Sequence, residues 1–239
     1  MIRRFALLLG LLSTPAAAAE DLCLSGAVFQ PVRDSLPATA RAVAARNLTV
    51  MAMGGAATAG MAARGVEYTW PIRLEVRLRE ALPGVQVRVD TRVLPPRTKG
   101  DASLTVDADI REVRPDLIIW GPGGTAAAMG QDLDSFIGML DDTIHRIRSD
   151  QRDLILMTLQ YAPAVARVVN LYPYRMAVLR AAGAGGTAVL DRYELMRELN
   201  GNGYLNLDAT APEDTVPVAR ALFDCMGRIL TEGIAHAVR

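Results

Sequence analysis

The sequence predicts an α/β protein built on a five-stranded parallel sheet with helices on both faces. Three observations carry this expectation. Short apolar runs alternate along the chain with stretches whose apolar residues recur at helical spacing. The first core run, Leu48 to Met53, ends in Gly54-Gly55, a tight turn at the carboxyl end of a strand, where open α/β sheets place their sites. Hydrophobic residues make up 51% of the chain, so one domain of this class has a full core available.

After Leu48 to Met53, Trp70 to Leu82 places Ile72, Leu74, Val76, Leu78 and Leu82 among charges and reads as a helix. Val85 to Val89 alternates as a short strand, and Val106 to Val113 is a helical candidate. Asp116 to Trp120 is a buried strand running into Gly121-Pro122-Gly123-Gly124. From Asp132 onward, Leu133, Phe136, Ile137, Leu140, Ile144 and Ile147 mark one face of a helix. Strand Leu154 to Leu159, helix Tyr172 to Ala182, strand Thr187 to Leu190 and helix Arg192 to Leu199 follow. Gly183 to Gly186 ends the helix before the last strand. The final helix is expected from about Val216 to Ala237, after an irregular stretch from Asn200 to Glu213.

Ahead of this pattern, Arg3-Arg4, the apolar run Phe5 to Leu12 and Ala17-Ala18-Ala19 read as a secretory signal peptide over residues 1–19 rather than a retained anchor. The single domain then occupies 20–239, exported to the periplasm or beyond, with no membrane span after cleavage. Lys+Arg and Asp+Glu number 26 each, which removes the electrostatic case for nucleic acid or an anionic membrane. Aromatics at 5% leave few stacking platforms for single strands or sugars.

Cys23 and Cys225 are the two cysteines, and in an oxidising compartment they are read as a disulfide in preference to two buried thiols. Such a bond constrains the unfolded chain by about 4 to 5 kcal/mol in the chain-entropy model. A metal site is not expected, because His145 and His236 fit no ligand spacing with either cysteine. No cofactor is expected either. Gly121 to Ala126 fits G-x-G-x-x-A, but it follows a later strand instead of opening a βαβ unit with a ribose-binding acid downstream.

The order of motifs resembles the SGNH/GDSL hydrolases, whose bacterial members carry blocks such as I-G-S-S-S-T-A-G, W-Q-x-G-T-N-D-A and D-G-L-H-x-x-D-x-G-Y. Met53 to Gly60 stands for the first block, Trp120 to Ala127 for the third, and Asp214 to Phe223 for the last. Arg114 to Trp120, Leu159 to Pro163 and Arg192 to Arg197 are similar to further stretches of such members. The resemblance covers Leu48 to about Ile234 and implies a flavodoxin-like three-layer α/β/α sandwich with an esterase site.

The same resemblance implies that the chemistry is gone. Ala56 stands where the family has its nucleophilic serine, and Pro217 where it has the histidine base. Thr125 replaces the asparagine of the oxyanion hole, and Pro95 or Pro96, which lack an N–H, falls at the glycine position. Asp214 alone remains, with no histidine to orient. Thr58 is the nearest hydroxyl but has no base in its loop; His145 reads as a surface residue and His236 as part of the last helical turn.

A pseudoenzyme is therefore expected, in one of two forms. In the first, the old cleft, lined by Gly55, Ala56, Thr58, Gly123 and Thr125, holds an acyl or glycan ligand. In the second, the surface serves an envelope protein complex, such as one that builds or exports polysaccharide, and the cleft is filled by Pro95, Pro96 and Met129. The alternative is an atypical esterase, which requires a hydroxyl and a base within hydrogen-bond reach.

Overall fold

The computed structural model describes Cys23 and residues 29–30, 36–55, 58, 60, 64–94, 101–149 and 151–238. The expected signal peptide, Ala56, Pro95 and Pro96 lie outside the described residues. In order, the elements are β1 (Phe29–Gln30), α1 (Pro37–Ala44), β2 (Asn47–Gly54), a short 3₁₀ turn (Val66–Tyr68), α2 (Trp70–Ala81) and β3 (Gln86–Val93). Then come α3 (Asp101–Val113), β4 (Leu117–Gly121), α4 (Gly124–Ala128), α5 (Leu133–Ser149), β5 (Asp153–Met157) and α6 (Pro163–Ala166). The chain closes with α7 (Tyr172–Gly185), β6 (Ala188–Leu190), α8 (Arg192–Gly201) and α9 (Pro212–Ala237).

The sheet order is β1-β6-β5-β4-β2-β3. Strands β2 to β6 run parallel, and the short β1 adds an antiparallel edge beside β6 that the sequence pattern does not announce. Along β2, Leu48, Val50 and Ala52 face a core shared with α2, α8 and α9. Met51 and Met53 face a second core with α3, α5 and α7. That alternation across a strand buried on both faces is why its sequence is continuously apolar. Helix α2 buries Trp70, Leu74 and Leu78 on one stripe, each side chain contributing about 1.5–3 kcal/mol of burial.

Two departures from the expected elements concern the helices. Helix α1 begins with Leu36 at its cap position, which offers no acceptor. The Asp153 carboxylate at the start of β5 does this instead, accepting from the Thr39 amide at 2.6 Å and the Thr39 hydroxyl at 2.7 Å. Helix α9 starts at Pro212, four residues earlier than expected, so Asp214 and Pro217 are helical and not on a loop. Pro212 suits the first helical position, and Glu213 and Asp214 complement the positive end of the helix.

Cys23 and Cys225 form a disulfide with their Cα atoms 5.4 Å apart. Among the described residues no helix is long and apolar enough to cross a membrane.

Candidate functional site

The chain order reverses between β2 and β4: β3 lies on one side of β2, and β4 on the other. Their carboxyl ends are paired through Gly54 and Gly121, the switch point at which open α/β sheets place their sites. On the β2 side, the chain turns at once, with the Thr58 amide donating to the Gly55 carbonyl at 2.8 Å. Any side chain on Gly54 would run into Thr58. The turn thus draws Thr58 inward, and the residue is only 2% exposed.

On the β4 side, Gly123 adopts φ 94°, a left-handed conformation that suits glycine, and begins α4. This brings the exposed Thr125 over Gly55, its Oγ1 3.2 Å from where a Gly55 side chain would start. Gly55, Thr58, Gly123 and Thr125 therefore gather at one point of the sheet. Met129, one turn on from Thr125, is 67% exposed.

Asp214 and Pro217 lie in the first two turns of α9. Helix α2 runs back from the carboxyl end of β2, so its first turn marks that end of the sheet. Arg220 stacks on Tyr68 at 3.5 Å, Asp224 pairs with Arg73 and Arg77, and Gly227 abuts Arg73 and Leu74. The two helices thus run in the same direction, and the first turn of α9 lies at the carboxyl end of the sheet. His145, in the C-terminal part of α5, and His236, in the last turn of α9, are exposed toward the amino end of the sheet.

A second polar cluster caps β5 and β6. Asp191 follows β6 and is nearly enclosed; it accepts from the Thr158 hydroxyl at 2.8 Å, from Arg175 Nη2 at 2.6 Å and from the Glu194 amide at 3.3 Å. The Thr158 hydroxyl accepts in turn from the Tyr193 amide at 3.0 Å. Burial disfavours the Arg175 charge, but Asp191 and Glu194 outweigh it and hold the guanidinium above its ordinary pKa. Burial also raises the Tyr193 phenol, with Tyr161 beside it adding to the shift. Thr158, Arg175, Asp191 and Glu194 are all engaged with one another, which makes the cluster a brace. The sequence signal for it was the spacing of Asp191 and Glu194, a capping pattern at the start of a helix.

The model of the non-GDSL lipase-like family matches residues 23–239. No curated protein matches the chain by sequence. Among solved structures, a G-D-S-L family protein from Desulfitobacterium hafniense is 19% identical with a TM-score of 0.57, over 78% of this chain and 99% of that one. The lipase/acylhydrolase from Enterococcus faecalis is 18% identical with a TM-score of 0.62, over 80% and 97%. An acetylxylan esterase from Geobacillus stearothermophilus is 18% identical with a TM-score of 0.60, over 78% and 94%. These likenesses show a shared fold, that of the SGNH hydrolases, with five parallel strands between two helical layers.

Proposed function

The chain belongs to the non-GDSL lipase-like family, and from that premise we propose that it is an exported binding protein that keeps the hydrolase fold without hydrolysing esters. One observation carries the reading: among the described residues, the threonine hydroxyls near the carboxyl end of the sheet have no free base beside them. Thr58 and Thr158 are buried, and the Thr158 hydroxyl already donates to a carboxylate held by Arg175. Thr125 is exposed, but no side chain among the described residues accepts a hydrogen bond from it. Both histidines are a sheet's length away. Ala56, Thr125, Asp214 and Pro217 are then the vestigial positions of the family's site, with Asp214 now serving the helix terminus.

In this reading an acyl or glycan ligand sits at Gly55 and Thr125, whereas Thr58 and Gly123, expected in the lining, are buried. The exposed position of Met129 favours a usable cleft over an interaction surface alone. Fold likeness to an acetylxylan esterase supports the ligand class. The disulfide and the leader-like residues 1–19 support export to the periplasm.

Purified mature protein, offered 4-nitrophenyl acetate and butyrate, is expected to show no turnover above a heat-denatured control. Ala56→Ser alone is expected to remain silent, because no base would activate the new hydroxyl. Turnover in the parent protein that disappears in Thr125→Ala or Thr58→Ala would establish an atypical esterase instead.

A further inference from the structure

Arg192 opens α8 immediately beyond the carboxyl end of β6. It is 5% exposed and shares its helix face with Leu195, Met196 and Leu199, all members of the first core. A guanidinium so enclosed is ordinarily paired. Here Nε has no hydrogen-bond partner, and no ion pair to Arg192 is formed among the described residues. The nearest acids in sequence are engaged elsewhere: Asp191 holds Thr158 and Arg175, and Glu194 holds Arg175 and Arg197. Burial alone pushes the Arg192 pKa down to about 10, so the group is still charged at neutral pH.

Helical Cα–Cβ bonds tilt toward the amino terminus, so a side chain at the first position leans back past the start of the helix. For α8 that direction is the carboxyl end of the sheet, the end that also carries Gly55 and Thr125. We infer that Arg192 is the recognition group for an anionic ligand headgroup, a carboxylate or a phosphate monoester, bound beside the first turn of α8. The planar fork of a guanidinium matches either anion with two parallel hydrogen bonds. Among the described residues no acid compensates this charge, and a ligand anion would neutralise it. This inference rests on the reading of the chain as a binding protein and adds the charge of its ligand. Ester turnover tests that reading, whereas the response to anions tests this one.

The experiment compares melting temperatures of the full mature protein and Arg192→Met at pH 7. Inorganic phosphate, acetate and decanoate are titrated against chloride at equal ionic strength. The parent protein is expected to gain about 5–10 °C at a hundredfold excess over Kd with at least one of the three anions. Arg192→Met is expected to melt at or above the ligand-free parent and to lose that gain. A response to phosphate alone identifies a phosphate headgroup, and one to decanoate above acetate identifies a fatty carboxylate. No response of the parent to any of the three overturns the inference. So does an Arg192→Met variant that melts lower, fails to fold or keeps the response, since the charge then serves the structure or lies away from the ligand.

Discussion

Asp191 draws together β5, β6, α7 and α8 through one carboxylate, which accepts from Thr158, Arg175 and the Glu194 amide. Asp191→Ala would leave the Arg175 charge enclosed with a weaker partner in Glu194, and the expected cost is about 3–5 kcal/mol, read from urea unfolding. Asp224 makes a different prediction. Burial alone would raise its pKa, but hydrogen bonds from Arg77 and Arg73 outweigh it and hold the carboxyl below its ordinary value. A carboxyl depressed on folding stabilises above its unfolded pKa and loses that stabilisation as pH falls through the folded one. Melting temperature should therefore fall less steeply below about pH 4 in Asp224→Asn than in the parent. An equal slope in both proteins would mean the pairing contributes nothing. The capping role of Asp191 has a local signature, its spacing to Glu194 ahead of the helix expected from Arg192. Its pairing with Arg175 has none, because the contact depends on how α7 returns to β6. Arg192 was visible only as part of a family-like stretch, since no residue pattern reports that a charge will lack a partner.

At the scale of elements, long periodic segments were legible and termini were not. The stripes of α2 and α5 and the apolar runs of β2, β4 and β5 follow directly from spacing. Helix α9 begins at Pro212, ahead of the expected Val216, because its first turn, Pro212 to Thr215, carries no apolar periodicity to read. Three further turns of buried residues, from Ala219 through Phe223 to Leu230, hold the helix regardless, although Pro217 donates no bond to the turn before it. The strand β1 has two residues and no periodicity to read. The cap of α1 was hidden because its acceptor lies 114 residues away in β5. Removing it by Asp153→Ala is expected to cost about 1–3 kcal/mol and to increase hydrogen exchange in the first turn of α1 ahead of the sheet. Uniform exchange across the protein would argue that Asp153 acts on the whole fold and not on that helix. At Gly227 α9 lies close against α2, a side chain there meeting Arg73 Cβ at 3.0 Å. Gly227→Val should separate the helices, and a loss of about 1–3 kcal/mol is expected in the same unfolding assay.

For the molecule as a whole, the order of the strands brings Gly55 and Thr125 together although the residues lie far apart in sequence. The family-like blocks made that meeting legible, and the positions of the two histidines followed from the helices that carry them. The disulfide adds a constraint at the same scale. Cys225→Ser is expected to lower stability by about 5 kcal/mol in the chain-entropy model for a separation of 202 residues. A loss under about 1 kcal/mol would imply that the unfolded chain is already held by other structure. The length of that separation also sets a clock. At roughly 5–20 residues per second, a ribosome needs about 10–40 s to deliver Cys225 after Cys23, a sequence separation of 202. Throughout that interval Cys23 is a thiol without its mate, while β2, β4 and β5 are already available to pair. The bond is therefore expected to seal a fold assembled in its absence and to have little part in choosing it. Pulse-labelled chains trapped with a thiol alkylator should become protease-resistant before they become oxidised; oxidation first would reverse that order of events.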